Sequence, residues 1–337
     1  MSAERKTADG TPAPQAQLAQ VRRVVLFRSV GRSGLLGVLL LLCILAAVIS
    51  PSFLQVANLI NVLRQMSLYG IVSVGMTFVV LTAGIDLSVG STVGIVAIVI
   101  TQLLNGTSLP PWVALGIGII VGGLVGAVNG LGIAHGRIPP FIMTLGIMVM
   151  GRGLAMTLAN GEPISLSDSV ALTIGWIGNG FFLGIPVPVW IFASVASLAS
   201  FTLRYVPYGR YVYAIGSSQE ASRLSGIPVL SVVASVYIVN GVLAALSAMV
   251  FVTRLSVAEP TAGTGLELEA IATTVIGGAS LFGGQGSISG TILGAAILAV
   301  LANVLNLAGV TPFTQQIVTG ALIIAAVFIE MLKEREK

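Results

Sequence analysis

The chain has 337 residues, of which 55% are hydrophobic and only 8% are Asp, Glu, Lys or Arg, and its formal net charge is +4. Its mean hydropathy is +1.02. A soluble domain carries roughly a quarter charged residues, so this composition excludes a soluble globular protein. Residues 270–329 contain no charged side chain, and residues 87–136 contain His135 as their only ionisable group. Because a spanning helix needs about 20 apolar residues, each of these segments must cross the bilayer more than once.

Residue counts exclude several enzyme classes. The only lysines are Lys6, Lys333 and Lys337, so the chain lacks the glycine-rich phosphate loop that ends in Lys and cannot hydrolyse ATP by that chemistry. A single cysteine, Cys43, and a single histidine, His135, cannot build a zinc site, a haem site or a disulfide. We therefore expect a protein that is not an enzyme, with no catalytic residue, metal, cofactor or nucleic-acid partner.

Hydropathy, glycine breaks and turn residues divide the chain into three parts. Residues 1–32 form a basic tail that we expect to be disordered and cytoplasmic, residues 33–332 form the transmembrane domain, and residues 333–337 form a cytoplasmic C-terminal tail. Helices are predicted near residues 33–50, 68–84, 88–104, 111–134, 140–159, 188–204, 229–253, 267–281, 287–308 and 314–332. The predicted fold class is an all-α polytopic membrane protein with about ten transmembrane or re-entrant helices. Eight full passes with two re-entrant hairpins fit the pattern equally well.

Basic residues indicate the orientation of these helices. Most of the 16 Lys and Arg residues fall in the N-terminal tail, in and beside the loop at residues 205–228, and at the C-terminus. Lys and Arg are enriched in cytoplasmic loops, so we expect both termini to be cytoplasmic. Arg64, Arg152 and Arg254 are exceptions and fall outside or within the membrane. The first apolar stretch lacks a small-residue cleavage site, so we expect it to be retained as a helix.

Glycines recur every four residues in two segments. The first set is Gly118, Gly122, Gly126 and Gly130, and the second is Gly286, Gly290 and Gly294. This spacing puts small residues on one helix face and lets a neighbouring backbone approach closely. A weak internal repeat also relates residues 84–94 to residues 278–290. Internal repeats are common in transporters, although low sequence complexity produces a similar pattern.

The segment at residues 82–90, TAGIDLSVG, carries one acid, Asp86, in an apolar stretch. Such an acid is costly unless it is paired, lies at an interface or caps a helix. We favour a role in which Asp86 or Ser88 accepts the free N–H groups of the helix that follows. Direct participation in the translocation path or its gate is the alternative. On the predicted topology, Asp86 and His135 both lie near cytoplasmic helix ends.

The segment at residues 258–269, AEPTAGTGLELE, contains three acids. Thr264 followed by Glu267 predicts a capping box at the start of a helix, and acids in a first turn complement the helix dipole. This explanation covers Glu267 fully but Glu259 less well. An outward-facing Glu259 beside Arg254 is a candidate docking point for a protein that approaches from outside.

The long loop at residues 205–228 has its own helix signals. Ser217 and Glu220 predict a further capping box, residues 221–225 can be helical, and Gly226 supplies a C-terminal stop. We therefore expect a short amphipathic helix that binds a cytoplasmic partner. The residues predicted to take part in this coupling contact are Arg210, Ser217, Glu220, Ala221, Arg223 and Gly226.

These three segments resemble the inner-membrane permease subunit of bacterial ATP-binding-cassette (ABC) sugar importers. The group that handles ribose, xylose, arabinose and galactose is the most similar, and the likeness runs over about residues 51–330. Glu220 and Ala221 with Gly226 also resemble the EAA loop of ABC permeases, although Ser222 stands where the third residue is usually Ala.

The resemblance implies a permease that imports a monosaccharide, ribose or a related pentose, by ATP-driven alternating access across the bacterial inner membrane. The implied partners are a cytoplasmic ATPase subunit, a periplasmic sugar-binding protein and a second permease copy in a homodimer. The absence of a phosphate loop agrees with a separate ATPase subunit.

A path for a neutral polyol needs hydrogen-bonding groups but few charges. Candidate path or gate residues are Asn58, Asn61, Gln65, Thr77, Asp86, Asn303 and Asn306. Asn303 and Asn306 also suit ordinary interhelical hydrogen bonds. The alternative function is an ion-coupled secondary transporter of a small polar solute, which usually places an acid or a histidine in mid-membrane as a relay.

Overall fold

A computed structural model describes residues 33–335. The predicted tail at residues 1–32 and the last two residues lie outside this range. The helices are α1 (Ser33–Ile49), α2 (Val56–Leu81), α3 (Val89–Gly106), α4 (Pro111–Ala134), α5 (Pro140–Leu158), α6 (Asp168–Ile174), α7 (Trp176–Asn179), α8 (Val187–Tyr205), α9 (Pro207–Ser217), α10 (Gln219–Leu224), α11 (Val229–Leu255), α12 (Leu266–Ile276), α13 (Ile288–Leu307) and α14 (Pro312–Arg335). A short 3₁₀ helix, Pro51–Leu54, joins α1 to α2.

Seven of the described helices are long and apolar enough to cross a membrane: α2, α3, α4, α5, α8, α11 and α13. Shorter apolar helices lie at Ser33–Ile49 and Pro312–Ala325. The predicted all-α, multi-pass architecture is thus confirmed. Each of the ten predicted helices overlaps an observed one, whereas the number of crossings and the side on which the termini lie stay predictions.

Two predicted boundaries are wrong. Helix α2 begins at Val56 rather than near residue 68, because the polar residues before that point pack on helix faces instead of forming a loop. Asn58, for example, contacts α13, and Arg64 contacts α7. Helix α12 ends at Ile276 rather than near residue 281, because Gly278 adopts a φ of +85°, a left-handed conformation that often ends helices.

Helices α2 and α3 form the centre of the described bundle. Their apolar segments are 67% and 72% buried, against 22% for α4 and 17% for α5. Buried apolar residues from α2, α3, α8 and α11 join in one large hydrophobic core. The two central helices therefore meet mainly other parts of the protein, while α4 and α5 expose most of their apolar surface.

Three glycines of the first stripe lie between α4 and α11, whereas Gly118 packs against the Ile100 side chain of α3. A Cβ atom at Gly122, Gly126 or Gly130 would collide with the backbone of α11. The predicted close backbone approach is therefore confirmed for these glycines. In the second set, Gly294 packs in the same way against the backbone of α12, and Gly290 packs against the backbone of Gly277, directly after that helix. Gly286 precedes α13 and packs against Ala279 instead.

Four two-residue strands, which the sequence did not predict, connect the ends of helices. Strand β1 (Ile164–Ser165) pairs antiparallel with β4 (Val257–Ala258), with Ile164 opposite Ala258. Strand β2 (Phe181–Phe182) pairs antiparallel with β3 (Ile185–Pro186). The β1–β4 pair holds the turn after α5 against the chain that leaves α11, so it fixes where the segment at residues 258–265 begins.

The two segments related by the predicted repeat lie next to each other. The N–H of Gly284 donates to the carbonyl oxygen of Leu81 at 2.9 Å. One turn into the helices, the hydroxyls of Thr77 in α2 and Thr291 in α13 are 2.7 Å apart. The turn between α2 and α3 and the turn between α12 and α13 thus form one packed unit.

Candidate functional site

Asp86 lies in the extended segment between α2 and α3 and is only 2% exposed. Its Oδ1 accepts hydrogen bonds from the backbone N–H of Ser88 at 2.8 Å and from the Ser88 hydroxyl at 2.6 Å. Its Oδ2 accepts a third from Nδ2 of Asn240 in α11 at 2.8 Å. Asn129 of α4 donates to the Ser88 hydroxyl at 2.7 Å. This polar network ties the start of α3 to α4 and α11.

The predicted capping role of this segment is wrong. Ser88 is the N-cap residue of α3, but its side chain accepts no N–H from the first turn. The Ser88 hydroxyl instead donates to the Asp86 carboxylate, and the backbone N–H that this carboxylate accepts is that of Ser88 itself rather than one from the first turn of α3. A buried carboxylate needs donors more than a helix start needs one further acceptor, which explains why the hydroxyl points to Asp86.

The position of Asp86 also differs from the prediction. Asn240, its partner, packs against Gly75, and Gly75 precedes the end of α2 by about 9 Å at 1.5 Å per residue. Asp86 therefore lies inside the helix bundle rather than at a helix end. Within the described residues, it forms no ion pair. The nearby hydroxyl of Tyr237, which is 1% exposed, lies against Gly84 without a hydrogen-bond partner in the described chain.

The segment at residues 258–265 packs directly on α3. A Cβ atom at Gly90 would collide with the carbonyl of Gly263 and with Glu267. Arg152 of α5 holds this segment from the other side, because its guanidinium donates to the carbonyl oxygens of Pro260 at 2.8 Å and Ala262 at 2.9 Å. Two segments that the sequence singled out separately are therefore in contact.

The predicted capping box at Thr264 and Glu267 is wrong in its main contact. The Thr264 hydroxyl donates backwards to the carbonyl of Thr261 at 2.6 Å. The N-cap residue of α12 is Gly265, with a φ of +84°. Glu267 does accept a backbone N–H near the helix start, but from Gly265 at 3.2 Å. The left-handed glycine turns the chain so that Thr264 no longer faces the first turn.

The predicted docking residues Arg254 and Glu259 do not form an ion pair. Glu259 is exposed and accepts a hydrogen bond from the Thr261 hydroxyl at 2.7 Å. Arg254, in the last turn of α11, lies beneath α7, where Asn179 donates to its carbonyl oxygen at 3.0 Å. Asn179 in turn accepts a hydrogen bond from Arg64 of α2 at 2.8 Å. Helix α7 thus links the ends of α2 and α11.

The predicted path residues separate into two groups. Asn58 and Asn303 exchange amide hydrogen bonds at 3.0 and 2.8 Å between α2 and α13, and Thr77 faces Thr291 between the same helices. Asn303 therefore makes an ordinary interhelical hydrogen bond, which was the alternative to a role in the translocation path. Members of the second group are open to the surroundings: Asn61 and Asn306 are exposed, and Gln65 is half-buried.

The loop at residues 205–228 contains two helices rather than the one predicted. Helix α9 was missed, although Pro207 at its first position and apolar residues at Val212 and Ile215 are compatible with a helix. Helix α10 begins one residue later than expected, since Ser218, not Ser217, is its N-cap and accepts the N–H of Ala221 at 3.2 Å. Ser217 ends α9 and donates to a carbonyl of that helix.

The stop of α10 is confirmed. Gly226 adopts a φ of +79°, and the N–H of Ile227 donates to the carbonyl of Ser222 at 3.1 Å, as in a helix that ends in a left-handed glycine. Glu220 does not serve the cap; it forms an exposed ion pair with Arg223 at 2.8 Å. Arg210 is exposed on α9.

Helix α9 is wedged against the two packed turns. A Cβ atom at Gly216 would collide with the carbonyl of Leu81 and the N–H of Gly284. The Tyr213 hydroxyl donates to the carbonyl of Gly286 at 2.9 Å. The exposed helix α10 is therefore joined through α9 to the ends of α2 and α12 and to the start of α13.

Comparisons with known proteins agree with this architecture. Residues 58–327 match the family described as "Branched-chain amino acid transport system / permease component". The ribose import permease protein RbsC of Escherichia coli strain K12 is 44% identical over 88% of this chain and 92% of its own length. RbsC of Bacillus subtilis strain 168 is 41% identical over 88% and 91%. The L-arabinose permease protein AraH of Azospirillum brasilense is 33% identical over 97% and 96%.

No solved structure is significantly similar to the chain. The family match covers most of the sequence and includes all three segments on which the resemblance to ABC permeases was based. That resemblance is therefore confirmed. The chain is a multi-pass membrane protein and belongs to the family of transport-system permease components.

Proposed function

We propose that this chain is the permease subunit of an ABC importer that carries a monosaccharide, ribose or a related pentose, across the bacterial inner membrane. The observation that carries the proposal is the similarity to ribose import permeases across nearly the whole chain. The family description names amino acids, but these relatives, at 41% identity and above, are named for ribose. Hydrogen-bonding groups with few charges are what a neutral sugar requires of its path.

The energy source in this proposal is a separate cytoplasmic ATPase subunit. All lysines of the chain lie close to its termini, so no phosphate-binding loop is present in the sequence. A periplasmic sugar-binding protein delivers the substrate from outside, and a second copy of the permease completes the path as a homodimer. Asn61, Gln65 and Asn306, which are not enclosed within the described monomer, are compatible with a path completed by a second copy.

Coupling to the ATPase subunit takes place at α9 and α10. Helix α10 is short and exposed, with Leu224 78% exposed at its end, and is well suited to enter a groove on a partner. Helix α9 contacts the turns next to α2 and α13 through Gly216 and Tyr213. A movement imposed on α10 therefore has a continuous packed route to the central helices.

The alternative, an ion-coupled secondary transporter, would use a relay of acids or histidines. Asp86 is the one acid found deep inside the described bundle, but three donors occupy its carboxylate and it is almost sealed from solvent. A group that exchanges ions with its surroundings needs a route to them. These observations favour a structural tie at Asp86 and leave the importer as the better proposal.

The test is uptake by proteoliposomes that contain the permease, its ATPase subunit and the binding protein. We expect ATP-dependent uptake of labelled ribose that persists when ionophores dissipate ion gradients. The permease alone should neither hydrolyse ATP nor accumulate ribose. Uptake of leucine in place of ribose would assign the substrate class named in the family description, and gradient-driven uptake without ATP would support the secondary transporter.

A further inference from the structure

We propose that the β2–β3 hairpin, residues 181–186, is an anchor in the headgroup region of the lipid bilayer, at the end of the helix bundle opposite α9 and α10. Its partner is a phospholipid surface rather than another protein. The anchor is independent of the solute that the permease carries and therefore goes beyond the proposed function.

The tip of the hairpin combines two local costs. Leu183 and Gly184 form its two-residue loop, and their φ angles are +52° and +75°, as in a type I′ turn. Such a turn favours Asn, Asp or Gly, and a bulky residue with a positive φ is an outlier. Leu183 is also 78% exposed. Neither the backbone nor water favours leucine here, so the environment that favours it lies outside the described chain.

The surroundings of the tip are apolar and uncharged. Phe181 and Phe182 beside it are exposed, and so is Trp176 at the start of α7. Residues 169–203 contain no charged side chain. Exposed apolar patches mark surfaces that contact a protein or a membrane, and the position of the tryptophans distinguishes between the two.

Two tryptophans lie near the hairpin, at the end of the bundle opposite α9 and α10. Trp190 is in the first turn of α8, and the last residue of α8 leads into α9, so the two ends of α8 lie on opposite sides. Trp176 belongs to α7, in which Gly178 packs on the backbone of Arg254. Arg254 is in the last turn of α11, whereas α10 precedes the first turn of that helix.

The third tryptophan, Trp112, lies at the same end. It is exposed in the first turn of α4. Helices α4 and α11 run antiparallel, because Gly130 meets Ala234 while Gly122 meets Gly241. The start of α4 therefore lies beside the end of α11. The chain contains three tryptophans, and tryptophan is enriched at the level of the lipid headgroups. Their common position indicates that this level passes through the hairpin.

The backbone of the hairpin is hydrogen-bonded within the protein. Strands β2 and β3 pair with each other, and the N–H of Val187 donates to the carbonyl oxygen of Gly180 at 3.0 Å. Nε1 of Trp190 donates to the carbonyl oxygen of Phe182 at 3.1 Å, and the two rings meet edge to face with centroids 5.9 Å apart. Unsatisfied polar groups are costly away from water, so these bonds lower the cost of insertion.

The hairpin is joined to the ends of two spanning helices. The Arg64 guanidinium of α2 lies over the ring of Phe181, 5.0 Å from its centroid, and donates to the carbonyl oxygen of Asn179 at 2.8 Å. Asn179 in turn bonds the backbone of Arg254 in α11. Arginine suits a membrane interface, because its stem packs on apolar surface while its head stays polar. Anchoring the hairpin therefore also fixes the level of these ends of α2 and α11.

The test measures the depth of a nitroxide label in proteoliposomes that contain the permease and its ATPase subunit. Cys43 is the only cysteine of the chain, so Leu183→Cys in a Cys43→Ala background carries one label at the tip. The control is Glu162→Cys in the same background, an exposed position at the same end, since β1 pairs with β4 directly after α11. Collisions with oxygen, which concentrates in lipid, and with a water-soluble nickel chelate are compared, with and without the sugar-binding protein.

We expect the label at position 183 to collide more with oxygen than with nickel, whether or not the binding protein is present, and the label at position 162 to show the reverse. Equal nickel access at the two positions would place the tip in water and overturn the proposal. Shielding from both reagents would mean that a second copy covers the tip, and loss of nickel access only with the binding protein would mean that this protein docks there. Either result would overturn the lipid assignment. These outcomes do not depend on ribose uptake, so they leave the proposed function unaffected.

Two further measurements guard against a labelled variant that does not fold. In the unmodified permease, tryptophan fluorescence should be quenched more by lipids brominated near the headgroup than by lipids brominated near the chain ends, and the reverse order or no quenching would overturn the interfacial level. Leu183→Asn places a favoured residue in the turn, so with the tip in water it would keep or raise the melting temperature. We expect the melting temperature in nanodiscs to fall instead, because apolar contact with lipid is lost; an unchanged or higher value would count against the anchor.

Discussion

Removal of the Asp86 carboxylate tests whether the buried network holds the bundle together. In Asp86→Ala, the N–H and hydroxyl of Ser88 and the amide of Asn240 lose their shared acceptor. An unsatisfied buried donor costs about 1–3 kcal/mol, and hydrogen bonds between membrane helices average about 0.6 kcal/mol. Three bonds at the membrane average give about 2 kcal/mol, and three unsatisfied donors at the lower cost give about 3 kcal/mol, so we expect a destabilisation of about 2–3 kcal/mol.

Asp86→Asn should be much milder. Its Oδ1 still accepts both bonds from Ser88, and rotation of the Asn240 amide presents its free oxygen to the new NH₂ group, because Asn240 Oδ1 has no partner in the described chain. We expect a loss of about 1 kcal/mol or less and retained uptake. Asp86→Ser should be intermediate, since its shorter side chain does not reach Asn240.

The assay is thermal denaturation of the purified permease in detergent, followed by uptake in the complete complex. Asp168→Ala is the control, since that acid is exposed in the first turn of α6. Wild-type stability of Asp86→Ala would refute the structural role of the network. Loss of uptake in a stable Asp86→Asn variant would show that the charge itself takes part in transport.

The remaining predictions concern helices α9 and α10. Gly216→Ala should cost about 1–3 kcal/mol of stability through overpacking against the backbone of Leu81, and it should reduce uptake per ATP hydrolysed. The control is Gly153→Ala, where a Cβ atom meets open space. Equal ATPase and uptake activities of the two variants would refute the packing of α9 against these turns. Gly226→Val should strain the backbone, because Gly226 has a φ of +79°. It should weaken stimulation of the ATPase more than Gly226→Asn does, since asparagine tolerates that conformation better than valine. The stimulated ATPase activity of both variants is measured in the reconstituted complex. Arg223→Ala should change stability by about 0.5 kcal/mol or less, because its ion pair with Glu220 is exposed, and a large drop in melting temperature would contradict this.

Local sequence signals predicted much of the helical framework. Charge-free stretches fixed the membrane class, since the cost of burying charges leaves few other environments for them. The start of α4 after Pro110 and the stop of α10 at Gly226 were predicted because Pro and Gly act on their own backbone. The glycine stripe of α4 was recognised because its spacing follows directly from the helical period.

The sites depended on contacts between distant parts of the chain. Asp86 looked like a helix cap because its neighbours in sequence offer free N–H groups, whereas its carboxylate is satisfied partly by Asn240, 154 residues away. Ser88 is likewise bonded by Asn129, 41 residues away. Neither asparagine carries a local signal, since an amide in an apolar helix is compatible with many partners.

The sequence by itself determined that this protein is an apolar, multi-pass helical chain without a phosphate loop, and it singled out the three segments that resemble ABC permeases. Only the tertiary structure decided that residues 82–88 run through the interior and that α9 is wedged between two turns. The physical reason is that apolar periodicity specifies which face of a helix is buried, but not which helix it meets. The pairing is set by close backbone approach at glycines such as Gly216 and by hydrogen bonds that buried polar groups must complete.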